Sequence, residues 1–405
     1  MDMPAVDQLQ QLISRPTSPW WDGLPAMVLD ELNLADVHEL AGHDLADIDV
    51  VIVGAGIAGL SAAAASAEAG AKTLVLEKAP KIGYGATGRN AGILSAGINT
   101  PLGSLPQGSP GALLWDRTVH VASELLAEAA RPNSLLQARR TGALSLAKSA
   151  AAAKRLAREK RVLQAHGFQS ELLTPFEIGQ LTAPHLDLHE VECALLLPDD
   201  GRIQPLTLLA WMAHRARKAG AILAGNARVI KSTGPSKPSE EWSLLLSDGL
   251  SVTASSLIRA IGPTHTPTLR IYAMAFEADL PEDFPLFWDA NPYCYYDYRA
   301  GDGRLVTTGG RYAKAGATAG DDKYYKGVAE AAHKWLPSLR QSEPIYKWAV
   351  DLHVAPELIP SIRNLPGGHA LSIEGLGSLG VLPGIVLGRQ AGESLAAASK
   401  RKLSV

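Results

Sequence analysis

Cysteine is nearly missing. Cys193 and Cys294 are the two in 405 residues, and they stand in no C-x-x-C or metal-ligand spacing, which gives no basis for a zinc site and fits a reducing compartment. An excess of one charge is missing too: 38 Lys and Arg face 41 Asp and Glu, a net −3. Nothing in that balance draws the chain toward nucleic acid. The opening MDMPAVDQLQQLISRP lacks the basic start and apolar core of a secretory signal. The most apolar stretch, 50–67, is broken by glycines and belongs to a strand-turn-helix pattern, so no membrane span is expected. No internal repeat, low-complexity tract, HExxH motif or catalytic triad is recognisable. A soluble cytoplasmic enzyme of two domains is the expectation for this length.

What is present is concentrated in DVVIVGAGIAGLSAAAASAEAGAKTLVLEKAPKIGYGATGRNAG, residues 49–92. Val50–Val53 reads as a strand buried on both faces. Gly54, Gly56 and Gly59 then give the G-x-G-x-x-G spacing: a tight turn, a close backbone approach to a pyrophosphate, and close packing of the next helix. That helix, from Ile57 to about Gly70, points its first amides at the phosphates, so Gly54, Ala55, Gly56, Ile57, Ala58 and Gly59 are expected contacts. A second strand, Thr73–Leu76, ends in Glu77, followed by Lys78. The carboxylate falls eighteen residues after Gly59, where this unit accepts hydrogen bonds from the adenosine ribose. An acid there repels a 2′-phosphate, which favours FAD or NAD over NADP.

Residues 1–47 read as an N-terminal arm, with Trp20 and Trp21 after Ser18-Pro19 as anchors or simple packing. The 111–180 region is helix-rich, with amphipathic helices expected over 119–130 and 143–166. The second carries Lys148, Lys154, Arg155, Arg158, Lys160 and Arg161, which reads as a solvated face. From Gly201 a helix, a hairpin about Asp248-Gly249 and a strand toward Gly262 return to the cofactor-binding layer. Residues 269–310 read as strands and 323–336 as a helix, and the C-terminus is again strand, glycine loop, helix. The expected fold is α/β. A discontinuous Rossmann-like cofactor domain (48–110, 185–268 and 352–405) holds an inserted α+β substrate domain (111–184 and 269–351) with a mixed or antiparallel sheet.

Several motifs in this order resemble the FAD-dependent amine and amino-acid oxidoreductases of the D-amino-acid oxidase superfamily, over roughly residues 48–398. Glycine oxidase, sarcosine oxidase and gamma-glutamylputrescine oxidase are the nearest in appearance. Gly83-Tyr84-Gly85-Ala86-Thr87-Gly88-Arg89-Asn90-Ala91-Gly92 is similar to the loop that wraps the FAD pyrophosphate and reaches the isoalloxazine. The resemblance implies FAD contacts from Gly85, Ala86, Thr87, Arg89, Asn90, Ala91, Gly92 and Ile93. It also implies a backbone contact to adenine at Val229, and a strand end under the pyrophosphate at Ala260-Ile261-Gly262. Gly375, Gly377, Gly380 and Gly388 resemble the family's C-terminal flavin loop, so Gly377, Ser378, Leu379, Gly380, Val381 and Leu382 are expected at the flavin pyrimidine end. The helix behind them would stabilise negative charge on the reduced ring.

The resemblance implies hydride transfer from a neutral amine to the flavin, then hydrolysis of the imine, with no obligatory side-chain base. Tyr295 falls on the substrate-contacting tyrosine of the glycine oxidase strand, although aromatic packing on a sheet explains it equally well. Trp348–Pro360 aligns with the segment in which amino-acid oxidases carry an arginine for the substrate carboxylate. This chain has Leu352 there, which turns the comparison toward the gamma-glutamylputrescine type. His353 is a candidate proton-handling group or a structural histidine. Arg311 is a candidate replacement cation or a surface ion pair.

Neither cysteine occupies the place where sarcosine oxidases attach FAD, so FAD is expected to be non-covalent. Residues 305–309 lack the lysine that promotes reaction with oxygen, so the acceptor is O2 or another electron carrier. An electron-relay flavoprotein subunit and an NAD-dependent dehydrogenase stand as alternatives, the latter disfavoured by the two extra glycine loops. A small-molecule amine is the expected partner, and a homo-oligomer stays open.

Overall fold

The computed structural model describes residues 18–40, 42, 44–235, 237, 240–262, 268–290, 293–299, 305–315 and 321–402. For 293–299, 305, 311 and 399–402 it describes the backbone alone.

The strand Ile48–Val53 pairs in parallel with Thr73–Leu76 on one side and Ser251–Arg259 on the other. Its neighbours are β-branched and aliphatic, and Val50, Val51, Ile52, Leu74 and Val75 are fully buried. Burial of side chains of this kind stabilises by roughly 1.5–3 kcal/mol each. The whole sheet runs in the order Ala35–Asp36, Ile222–Gly225, Thr73–Leu76, Ile48–Val53, Ser251–Arg259, Trp242–Leu246, Val229–Thr233, with Ala370–Glu374 also paired in parallel to Ser251–Arg259 and Ser361–Asn364 antiparallel to Ala370–Glu374. Three helices, Ile57–Glu68, Pro205–Lys218 and Val381–Lys402, contribute to one core with this sheet. The arm is built into the same layer. Ala35–Asp36 supplies the edge strand, and Ala26–Leu32 packs on Pro205–Lys218.

A second, eight-stranded sheet runs Tyr346–Leu352, Leu269–Glu277, Leu305–Lys314, Tyr293–Arg299, Leu286–Ala290, Ala143–Ala147, Cys193–Leu197, Glu171–Leu173. It is mixed: Leu286–Ala290 and Ala143–Ala147 are parallel, and the other pairs are antiparallel. The helix Asp321–Trp335 covers one face, with Val328, Ala332 and Trp335 buried against Tyr272 and Phe276. The opposite face, with Ile271, Ala273, Trp348, Val350 and Leu352, looks toward Ala91 and Ile93 of the cofactor layer. The cleft between the layers is built there.

Two expected elements differ. The alanine-rich run 143–166 is not one helix: Ala143–Ala147 is a buried strand, and the helix starts at Ala150, capped by the Ser149 side chain. Alternation across A-L-S-L-A suits a strand enclosed by neighbours on both sides, and that pairing outweighs alanine's helix propensity. Lys148 therefore leaves the basic helix face and sits over the Trp335 ring, 4.1 Å from its centroid. The strand Cys193–Leu197, in a span expected on the cofactor side, joins the second sheet through Ala143–Ala147. Among the described residues, no helix is long and apolar enough to cross a membrane.

Candidate active site and cofactor cleft

The glycine turn after Ile48–Val53 is built by contact. Gly54 has φ +103°, and a Cβ on it would lie 2.7 Å from the Ala260 carbonyl oxygen. Ala260 N in turn donates to Val53 O at 2.9 Å, so the strand end at Ala260 underlies the turn. Gly56 is the extended N-cap of the Ile57–Glu68 helix and has no side-chain cap bond. Ile57 N donates to Thr87 Oγ1, so the amides that follow it at the helix start are the ones an anion would meet, in the manner of dinucleotide sites.

Glu77 is half-buried and held twice: Ala55 N donates to its Oε2 at 2.9 Å, and Ala79 N to its Oε1 at 3.2 Å. Burial raises its pKa, against the lowering effect of those two amides. A carboxylate accepts about four hydrogen bonds, so capacity for ribose hydroxyls remains. The Glu77 backbone also bonds Ala224 and Ala227, the latter two residues before Val229. Glu77→Gln is expected to raise the FAD dissociation constant about tenfold, as charge-assisted hydrogen bonds are lost. Titration of the apoprotein with FAD checks this, and an unaltered affinity would remove Glu77 from the ribose site.

A cleft opens beyond the helix N-terminus. One side is the loop 86–95, with Ala86, Thr87, Arg89, Asn90, Ala91, Ile93 and Ser95 lining it; the second sheet supplies Ile271, Ala273, Tyr312, Trp348, Val350 and Leu352. Leu376, Gly377, Ser378, Leu379, Gly380, Val381 and Leu382 complete it with Ile57. Two helix N-termini, at Ile57 and Val381, meet at one wall. They come together because Gly388, two turns further along the C-terminal helix, seats directly on Ala58 O, where a Cβ would stand 2.4 Å away. Their aligned dipoles favour negative charge in the cleft.

The loop 83–92 is tied from several sides. Ile57 N donates to Thr87 Oγ1 at 3.3 Å, Asn90 Nδ2 to Thr87 O at 2.8 Å, and Gly92 N to Asn90 Oδ1 at 2.7 Å. Arg89 donates to Gly85 O and Ala349 O, and burial holds its pKa down at about 10, opposed by Asp351 and reinforced by Arg270. It stays charged at neutral pH. The 376–382 loop is held by Asn99: its Nδ2 donates to Leu376 O at 3.1 Å, and its Oδ1 accepts from Ser378 Oγ and Leu379 N. Behind Ser95 lies Asp200, 5% exposed, whose Oδ2 accepts from Ser95 Oγ at 2.6 Å. Burial pushes Asp200 up to about 7, against the lowering hydrogen bonds from Ser95 and Ala96.

Most residues expected at the cofactor gather here: the Gly54–Gly59 turn with Ala55 and Ala58, Glu77, Thr87 to Ile93, Ala260 and Gly377 to Leu382. Lys78 is exposed, Gly85 is an open loop position with nothing within 4 Å of its Cβ position, and Gly262 ends the described strand region at φ +70°. Tyr295 has backbone register with Gly309 and Trp288, in the row that contains Ala273 and Trp348. Its side chain lies outside the described residues. Arg311 has register with Tyr272, and its side chain is likewise outside them. A bulge at Gly310 shifts this strand by one, which brings Tyr312 opposite Ile271 and into the cleft lining. Along Tyr346–Leu352, alternation turns Trp348, Val350 and Leu352 to the cleft. His353 follows one step later, is not among the lining residues, and accepts Gly377 N on its carbonyl at 3.1 Å.

Tyr312, Asn99 and the Asp200–Ser95 pair were missed by sequence reasoning. Asn99 and Asp200 stand in no motif. Tyr312 was one residue from a candidate, and a bulge is invisible to period-2 reading.

None of the curated proteins compared matches the sequence. Solved structures do. Glycine oxidase from Bacillus cereus ATCC 14579 has a TM-score of 0.72 at 19% identity, over 87% of this chain and 96% of that one. L-proline dehydrogenase from P. horikoshii has 0.72 at 18%, over 87% and 94%. L-alpha-glycerophosphate oxidase from Mycoplasma pneumoniae, with FAD bound, has 0.71 at 14%, over 86% and 94%. At such identities these share the fold. The glycine turn, the carboxylate of Glu77 beside it and the double-loop cleft fit FAD, and the family model for FAD dependent oxidoreductases (DAO) matches residues 49–394, so the chain belongs to that family.

Proposed function

We propose that the protein oxidises the C–N bond of a primary or secondary amine that lacks a free α-carboxylate. The observation that carries this reading is Leu352. It is 8% exposed and lines the cleft where the resembling amino-acid oxidases have a carboxylate-binding arginine. Ile271, Ala273, Trp348 and Val350 extend the apolar wall and would exclude water around the carbon chain of the amine. Tyr312 supplies a phenol at the same wall, able to hydrogen-bond an amine nitrogen.

Arg89 is the described cation in the lining. An ammonium bound near it is repelled, by about 4 kcal/mol for unit charges 4 Å apart near a protein surface. The cleft therefore selects the neutral amine, the form that can release a hydride. When bound, FAD supplies the two-electron acceptor. The loop and helix start at 377–382 would stabilise negative charge developing on a bound flavin, and water would hydrolyse the released imine to a carbonyl compound and a smaller amine or ammonia. Cys193 is buried in the strand Cys193–Leu197 and absent from the lining, which supports non-covalent FAD. Without a lysine in 305–309, an acceptor other than O2 is favoured.

Anaerobic bleaching of the flavin band, screened over polyamines, N-methyl amino acids and simple amino acids, tests this reading. Polyamines or other carboxylate-free amines are expected to bleach it at rates at least tenfold above glycine or proline. Faster bleaching by amino acids would overturn it. Bleaching by glycerophosphate alone would move the chemistry to C–O oxidation.

A further inference from the structure

We propose that the N-terminal arm is a cofactor clamp, with Trp20 as a positioning residue for the flavin loop. Two consecutive carbonyls of that loop each accept an indole N–H. Trp348 Nε1 donates to Arg89 O at 2.9 Å from the second sheet, and Trp20 Nε1 donates to Asn90 O at 2.8 Å from the arm. Trp20 is 2% exposed and is itself held by Gln204, whose Nε2 donates to Trp20 O at 2.6 Å. Gln204 also caps the helix Pro205–Lys218, which makes the anchor rigid. Beside it, Ser18 Oγ donates to Gly88 O at 3.4 Å, and Trp21 stacks on Tyr84 with centroids 5.2 Å apart.

The loop segment so held carries Thr87 and Asn90, which line the cleft, and Thr87 Oγ1 touches the first amide of the phosphate-facing helix. Arm, loop and helix N-terminus thus form one chain of contacts. The family match begins at residue 49, so this clamp lies outside the matched span. It acts on FAD through the loop and touches no reacting atom.

Trp20→Phe keeps an aromatic ring, at some loss of volume, and removes the donor. Trp242→Phe is its matched control, since Trp242 is also buried and donates Nε1 to a backbone carbonyl, Gly368 O at 3.0 Å, and neither residue lines the cleft. Trp20→Phe is expected to raise the FAD dissociation constant about tenfold, as one buried hydrogen bond to the loop is lost. It should also shift the visible flavin bands, while the melting temperature of the apoprotein falls no further than in Trp242→Phe. Trp242→Phe should leave both affinity and spectrum unaltered. If Trp20→Phe yields no folded protein, Trp21→Leu, at the half-exposed rim, is expected to weaken FAD several-fold. Unchanged FAD affinity in the variant measured, or equal losses in variant and control, would overturn the clamp.

Discussion

Gly59→Ala is expected to give a colourless protein. A Cβ at Gly59 would lie 1.9 Å from the Gly54 carbonyl oxygen, far inside any tolerable contact, and the obstacle is backbone. Gly54 must then rotate away from its φ of +103°, and the turn no longer aims its amides at the pyrophosphate. Overpacking of this kind costs about 1–3 kcal/mol of stability. Loss of the aligned donors is expected to weaken FAD at least ~100-fold, a change of roughly 2.7 kcal/mol.

Gly56→Ala separates the cofactor's demand from the protein's. Its Cβ would meet Thr87 Oγ1 at 3.6 Å, an ordinary contact, so the apoprotein should melt normally. A large loss of FAD affinity there reports a phosphate lying against the backbone. Gly85→Ala, with nothing within 4 Å, should be tolerated by the apoprotein. FAD titration and apoprotein melting of the three variants check the ordering. Full flavin content in Gly59→Ala would mean that the turn does not hold the dinucleotide.

Asp200→Asn is expected to make the protein more stable in base and to flatten its pH dependence. The buried carboxyl titrates at about 7, against an ordinary 3.8. Between those values the folded state holds a proton that the unfolded state has released, so stability falls as pH rises through this window. At 1.36 kcal/mol per pH unit the loss is on the order of 4 kcal/mol by pH 8. Asparagine imitates the protonated acid: its amide can donate to Ser95 Oγ and its oxygen can accept from Ala96 N, so both existing contacts persist. With FAD saturating, the variant should melt slightly higher than the wild type at pH 5 and by several degrees more at pH 8. Equal melting at both pH values would show that Asp200 ionises normally.

The two strands and helix about Gly54, Gly56, Gly59 and Glu77 were legible because their constraints are local. A turn, a helix start and an acid at fixed spacing are all set within about thirty residues. Leu352 was legible for the same reason, by its place between Trp348 and Pro360. The run 143–166 was not, since its strand is decided by partners at 193–197 and 286–290. Lys148, assigned by sequence to a charged helix face, is drawn instead to Trp335 from a distant helix.

By itself, then, the chain of residues determined a glycine turn of the dinucleotide type, an acid at the end of the second strand and two further glycine loops, because each needs particular residues at particular positions. Tertiary structure decided which side chains line the cleft. One bulge at Gly310 brings Tyr312 to the cleft wall, Asn99 reaches 277 residues along the chain to hold the Leu376 carbonyl, and Trp20 meets Asn90 across 70. Such contacts depend on register and on packing between distant segments, and a one-residue slip exchanges the two faces of a strand.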